Sequence, residues 1–461
     1  MQTSRPSASR HPVARRRLTV AVLLVALLLA INAAINWVLV PFGGKTELVW
    51  HDYRQLSSLD TVVIGSSFAQ HSVSPRTLDA SLGSDSFNLG TPAQSLNNTR
   101  DALATAIEDW HVRRAIYCFE YDTFFEDQWA NAAIAFTKYK SEGEPVPQVL
   151  RDVGNLVFSD FFFTRHYSLT CAFPWSYEHV PLSVRGISTN VENRLGGDIY
   201  KAAASYAQLT DGHVWDYERT GFVGLRLELD GKCVHGFDYS TFEDREFISN
   251  NLEYLRQILA LCQQNGVTFY MVAPPTAAST LIQYGDAYPQ HMTQLKEIVE
   301  QAGGVFLDLN LAKPDVMTFD GTDICDLAHL SSDGARKTSE ALGRLLRRIE
   351  AGEDVSGSFF SYDENEWREY LASVTYVDSV EYEVVEQDGA MTFEASACTG
   401  TQSVVEYAFD VRASDEDEWA VAQDWSASSS FELAAGTGET PQVRVRARTQ
   451  QNPTVVRWVT T

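Results

Sequence analysis

The sequence predicts an α/β protein: a five-stranded parallel sheet covered by helices, preceded by a membrane-spanning helix and followed by a small all-β sandwich. Three observations predict it. Between Asp60 and Glu350 short apolar runs alternate with amphipathic ones, the rhythm of a parallel sheet with helical crossovers. Leu18–Val40 carries no charge and is long enough to cross ~30 Å of hydrocarbon. Beyond Val374 the chain breaks into short alternating runs separated by turns, as antiparallel strands do.

The N-terminus comes first. Residues 1–17, "MQTSRPSASRHPVARRR", hold five arginines and no acid. Arginines before an apolar helix keep that end in the cytoplasm, so the rest of the chain is expected outside the plasma membrane. A cleaved signal peptide has an apolar core of about 7–15 residues and a small-x-small site after it. The run over 18–40 is longer and no such site follows, so an uncleaved, single-pass signal anchor is expected, then a linker over 41–57.

The α/β domain is expected over 58–352. "TVVIG" (61–65) reads as a buried strand, "SPRTLDASLG" (74–83) as a short helix with a glycine stop, and "DSFNLG" (85–90) as a second strand. "SLNNTRDALATAIEDW" (95–110) is helical and "RAIYCFEY" (114–121) is the third strand. After an insertion at about 122–244, "REFISNNLEYLRQILALCQQNG" (245–266) is a strong amphipathic helix and "VTFYMVAPP" (267–275) a strand. "HMTQLKEIVEQAGG" (291–304), "VFLDLN" (305–310) and "SSDGARKTSEALGRLLRRIE" (331–350) complete the alternation. Right-handed crossovers then leave a five-stranded sheet with helices on both faces as the economical topology.

The insertion is rich in aromatics ("NLVFSDFFFTRHYSLTCAFPW") and too long for a bare loop, so helices and a hairpin are expected there. Its aromatics read first as core; they could also shape a substrate site or touch the membrane or a partner. Residues 353–373 read as a linker with a short helix, and 374–461 as the sandwich, with "SVEYEVVEQ", "AMTFEASA", "SVVEYAFDVR", "SFELAA" and "QVRVRARTQ" as its strands.

Composition narrows the function. The 461 residues, 44% apolar, suit two or three globular domains. The net charge is −25, and −30 without the five tail arginines, which argues against nucleic acid as a partner because phosphate binding needs basic surface. Six scattered cysteines, at 118, 171, 233, 262, 325 and 398, do not make a disulfide scaffold, although some could pair outside the cell. Cys118 and Cys262 fall in apolar runs and are expected as buried thiols. The spacings suit no metal site, and no cofactor is expected.

In an open parallel sheet ligands gather at the carboxyl ends of the strands. The sequence puts Ser66 and Ser67 there after strand one, Gly90, Thr91 and Gln94 after strand two, Glu120, Tyr121 and Asp122 after strand three, and "DICDLAHLSSDGA" after strand five. A serine nucleophile needs a base, an acid that orients the base, and backbone donors for the oxyanion. Ser67, His329 and Asp326 are those types, with Asp326 three residues before His329. Asp323 is a rival orienting acid, and His71 lies close to Ser67 in sequence but is expected to pack or face outward.

"IGSS", "NLG" and "DLAH" in this order resemble the blocks of SGNH (GDSL-like) hydrolases over residues 58–352. "GSSFAQHSVSP" and "FNLGTPAQSLNNT" are similar to a membrane-anchored branch that includes the extracellular D-alanyl-lipoteichoic acid biosynthesis protein and alginate O-acetylation proteins. The resemblance implies a flavodoxin-like sheet, Ser67 as nucleophile, His329 as base and Asp326 as its orienting acid. It implies oxyanion donation by Ser67 and Gly90. Two departures stand out: Ser66 replaces a common aspartate, and "CFEYDTF" lacks the block-three asparagine, for which Gln94 is a candidate substitute. The branch implies an acylated glycan or cell-wall polymer as substrate and a membrane-bound O-acyltransferase as a partner. A non-catalytic protein that binds a glycan or tethers such an acyltransferase is the competing expectation. The stretch from Tyr407 to Thr449 resembles a triple-tyrosine type β-sandwich repeat, which implies a binding or spacer module.

Overall fold

A computed structural model of the chain describes residues 12–165, 167, 171, 173–176, 178–210, 215–225, 245–278, 281, 284, 287–319, 322–325, 328–387, 390–400, 402–414, 416–434 and 441–461. The chain forms two compact units, residues 1–44 with 141–212 and residues 45–140 with 213–461.

In the first unit a long apolar helix, Pro12–Leu39, accompanies the helices Val146–Val157, Asp160–Thr164, Val184–Gly196 and Ile199–Thr210. Its stretch Arg16–Leu39 has the length and composition to cross a membrane, and its apolar window is 0% buried. The expected insertion over 122–244 therefore does not stay in one piece. Residues 141–212 join the N-terminal helix, whereas 122–140 and a short hairpin belong with the sheet.

In the second unit the strands are β1 (Thr61–Gly65), β2 (Ser86–Asn88), β3 (Arg114–Cys118), the hairpin β4 (Trp215–Tyr217) and β5 (Val223–Leu225), β6 (Thr268–Ala273) and β7 (Val305–Asp308). The sheet order is β2-β1-β3-β6-β7, all parallel, with β4 and β5 paired separately. Parallel strands covered on both faces are apolar at every position. All five residues of β1 are buried. Val62 and Ile64 enter one core with Phe87, Leu103 and Phe269; Val63 enters the other with Leu78, Ile116 and Leu345. Full burial of each such side chain contributes roughly 1.5–3 kcal/mol. Cys118 and Cys262 are buried as expected. The winding reverses between β1 and β3, which makes their carboxyl ends the crevice of the sheet.

The expected linker over 41–57 contains a helix, Lys45–Tyr53, that buries Leu48, Val49, Trp50 and Tyr53. Trp50 meets Phe136 edge-on, 5.5 Å between ring centroids. The helix is too short, and too mixed in polarity, to stand out by periodicity.

The C-terminal strands are β8 (Ser379–Gln387), β9 (Ala390–Cys398), β10 (Val405–Arg412), β11 (Ala420–Ser426), β12 (Ser430–Ala434), β13 (Gln442–Thr449) and β14 (Arg457–Thr460). They form two antiparallel sheets, β11-β10-β13-β14 and β12-β9-β8. Val380 and Phe393 from one sheet share a core with Phe409, Val443, Val445 and Val459 from the other. In β13 every second residue is buried, as its alternating sequence requires. The sequence did not single out β11 or β14, which are short of apolar alternation.

Candidate active site

The site begins at the turn after β1. Gly65 has φ +140°, and a Cβ there would lie 2.1 Å from the Cys118 carbonyl oxygen. Only glycine lets β1 turn this close to β3. The chain then enters the helix Ser67–Ser72 with Ser66 as its N-cap. The Ser66 hydroxyl accepts the Phe68 N–H at 3.3 Å and donates to Glu120 Oε2 at 3.3 Å. Capping therefore falls to Ser66, and Ser67 is left half-buried with its hydroxyl free of that task. Ser67 N–H opens the helix, where no intrahelical acceptor exists.

Ser67 Oγ lies 2.8 Å from His329 Nε2, joining residues 262 apart in sequence. His329 is carried on a tight loop. Ile324 bridges to Leu330, the Cys325 N–H donates to the His329 carbonyl at 2.8 Å, and the Ser331 N–H donates to the Asp323 carbonyl at 2.8 Å. Ser331 then caps the helix Ser332–Glu350 through the Gly334 N–H. Ile324 and Leu330 are buried against Phe222 and Ala335, so apolar packing holds the loop. The His329 ring packs edge-on against His71, 5.1 Å between centroids, and beside Phe68 at 5.5 Å. His71 is buried, and its Nδ1 lies 2.6 Å from the Val223 carbonyl, which can only accept. Nδ1 of His71 is therefore the protonated nitrogen.

The remaining predicted residues divide. Asp326 lies outside the described residues. Asp323, the rival acid, is buried and paired with Lys337 Nζ at 2.8 Å. Gly90 does approach the nucleophile helix closely: a Cβ would lie 2.8 Å from Gln70 N. Its N–H, however, donates to Asn88 Oδ1 at 2.9 Å, so the expected oxyanion donor is already engaged. Gln94 lines the same cleft as Ser67, accepting from Thr91 Oγ1 at 2.8 Å and donating to Thr99 Oγ1 at 3.2 Å.

Two residues without an expected catalytic role hold the site. Asn88 is fully buried and donates through Nδ2 to the carbonyls of Ala69 at 2.7 Å and Val73 at 2.9 Å. With the Gly90 contact, it clamps the end of β2 to the nucleophile helix. Glu120 follows β3 at the crevice. Burial chiefly, with the Asp122 and Glu126 charges, pushes its carboxyl up to about 7, while His329 and the Ser66 hydrogen bond oppose the shift. Asp122, accepting from the Tyr284 hydroxyl at 2.9 Å, is pushed up to about 6, again mainly by burial. A carboxylate directly after a buried strand at the switch point was the signal available for Glu120.

Glu120 borders two spaces. One, of about 190 Å³, is lined by Ser67, Gln94, Asp127 and Trp129. The other, of about 130 Å³, is lined by Phe68, Phe119, Leu281, Tyr284 and Met292. A larger cavity, about 590 Å³ beside β7, touches neither Ser67 nor His329. The arrangement therefore provides a hydroxyl on an imidazole, a partly buried acid beside them, and a small apolar recess next to the cleft.

No protein family matches the chain, and no curated protein does. Among solved structures, an engineered protein is 10% identical over 92% of this chain and 98% of its own, with a TM-score of 0.14. β-Glucosidase 3B from Thermotoga neapolitana in complex with glucose is 10% identical over 87% of this chain and 74% of its own, with a TM-score of 0.12. Likenesses this slight carry no argument about fold or function.

Proposed function

We propose that this chain is a membrane-anchored, extracytoplasmic serine esterase or O-acyltransferase of the SGNH type, acting on acyl esters of cell-envelope or secreted glycans. The observation that carries the reading is the 2.8 Å contact between Ser67 Oγ and His329 Nε2 at the carboxyl end of β1. Ser67 Oγ attacks the acyl carbon as its proton passes to Nε2. The ester C–O bond then breaks and the imidazolium returns the proton to the departing alcohol. In the second step water or a glycan hydroxyl attacks the acyl-serine, with His329 again taking the proton. Asp326 holds the imidazole in this role by the family resemblance.

The oxyanion needs donors at the cleft. The Ser67 N–H is one, and Gly90 is replaced in this role because its N–H is bound to Asn88. Glu120 in its protonated form supplies an O–H where the block-three asparagine is lacking, and Gln94 stands across the same cleft. The apolar recess beside Glu120 has room for a short acyl chain. The exposed apolar helix Arg16–Leu39 supports a membrane anchor, and the five arginines before its apolar run favour the site outside the cell. A membrane-bound O-acyltransferase as partner, and a spacer or glycan-binding role for the triple-tyrosine-like sandwich, complete the reading.

The engaged Gly90 N–H favours a second reading, a non-catalytic binding or tethering protein. Hydrolysis of p-nitrophenyl acetate by the full chain in detergent separates the two. The enzyme reading predicts turnover that Ser67→Ala and His329→Ala each abolish. Equal rates in all three proteins, or none in any, support the binding reading.

A further inference from the structure

The unit that joins the N-terminal helix carries an unusual surface. In the helix Val146–Val157 no residue is buried. Its apolar residues Val146, Val149, Leu150, Val153 and Val157 recur at helical spacing, with Gln148, Arg151, Asp152 and Asn155 between them. Leu150 is 68% exposed, and Phe158 just beyond is 77% exposed. Phe163, Leu182, Val184 and Leu195 continue the pattern. Among the described residues, most large apolar side chains exposed outside the N-terminal helix fall between 146 and 195. A water-facing surface does not ordinarily gather them so densely.

Hydrogen bonds fix this unit to the apolar helix at a definite depth. Trp175 donates its Nε1–H to Asn32 Oδ1 at 2.9 Å and its backbone N–H to Asn36 Oδ1 at 3.2 Å. Asn190 donates to the carbonyls of Val38 and Val40, both at 2.9 Å, and accepts the Phe42 N–H at 3.0 Å. Arg194 donates to the Val40 carbonyl at 2.7 Å, and the Val180 N–H donates to Leu39. These groups satisfy the carbonyls that a helix leaves open at its C-terminus, which lipid cannot do. At a rise of 1.5 Å per residue, Asn32 lies about 10 Å before Leu39. A span starting at Leu18 needs ~20 residues to cross the hydrocarbon, which puts Asn32 and Trp175 several ångströms inside the outer boundary. The unit is held where the bilayer is, and a body of about 70 residues has a radius of gyration near 11 Å.

We infer that residues 141–212 form a platform embedded in the outer leaflet, with Leu150, Phe158, Phe163 and their neighbours inserted among lipid acyl chains. The occupant of this apolar surface is lipid. The inference rests on the anchor reading of residues 18–40, and goes beyond it: the chain is held by a monotopic body as well as by one helix.

The test uses the full chain reconstituted in phosphatidylcholine–phosphatidylglycerol vesicles that carry a diazirine on the acyl chain. After photolysis, adducts are located by peptide mass spectrometry. The expected result is adducts within 146–163 and 173–195 as well as within 18–39. In a Leu150→Glu, Phe163→Glu variant the adducts in 146–163 fall at least fivefold while those in 18–39 persist. Adducts confined to 18–39 overturn the platform and leave the anchor standing. Crosslinks between two copies through 146–163, with no lipid adducts there, also overturn it. A mature chain that begins after residue 40 overturns the anchor reading itself, and intact-mass measurement shows that outcome separately.

Discussion

Replacing Glu120 by Gln keeps the shape of a side chain at the crevice and removes its charge. Glu120 borders the Ser67 cleft with its carboxyl held near 7 against an ordinary 4.5. A carboxyl raised by folding favours the folded state fully below its unfolded value, and that contribution disappears as pH climbs through the folded value. The difference is worth about 3 kcal/mol at the alkaline limit. Solvent reaching the cleft makes this a ceiling. Wild type should therefore lose stability relative to Glu120→Gln as pH rises from 5 to 8.5, by about 2–3 kcal/mol. Asp122, Glu126 and His329 face Glu120 and are present in both proteins, so the comparison isolates the Glu120 carboxyl. Urea unfolding followed by tryptophan fluorescence at both pH values measures it. A stability difference that stays constant between pH 5 and 8.5 refutes a buried, raised carboxyl. The same variant tests chemistry: wild-type ester hydrolysis should decline as pH rises through about 7, and that decline should vanish with Gln, which keeps a donor at every pH.

Two further substitutions test the scaffold. Asn88→Ala strands the Val73 carbonyl and the Gly90 N–H, both buried, and takes from the Ala69 carbonyl the shorter of its two hydrogen bonds, leaving the Val73 N–H; it should cost about 3 kcal/mol of unfolding free energy; a loss below about 1 kcal/mol contradicts the clamp. Asp410 is buried in β10 between Arg444 at 2.7 Å and Arg446 at 2.8 Å, so Asp410→Ala leaves two cations without their partner. It should destabilise the C-terminal sandwich by about 3 kcal/mol, and an unchanged calorimetric profile argues against a structural ion triad.

Much of the fold was legible because the sheet strands are buried on both faces. "TVVIG" and "RAIYC" carry apolar residues at both parities, a pattern no exposed segment maintains. The helix 331–350 declared itself by its serine cap and its apolar stripe. Ser67 and His329 were legible through residue type and block order, and the structure brings them together at 2.8 Å. What escaped was set by tertiary contact. Nothing local in "NLG" tells that Asn88 takes the Gly90 N–H, because the choice depends on the nucleophile helix lying 2.7–2.9 Å from the asparagine amide. Glu120 falls at the ligand edge by its place after strand three, but its role emerges only where Ser66, Asp122 and the apolar recess surround it. The division of the 122–244 insertion was hidden for the same reason. Asn32, Asn36 and Asn190 bind partners more than 130 residues away.

The most direct measurement is intact-protein and peptide mass spectrometry of the full chain after brief exposure to a fluorophosphonate. The account predicts one phosphonyl adduct on the peptide holding Ser67, lost in Ser67→Ala and slowed at least a hundredfold in His329→Ala, corresponding to about 3 kcal/mol or more of activation. An unlabelled chain, or labelling on Ser66 that survives Ser67→Ala, contradicts it.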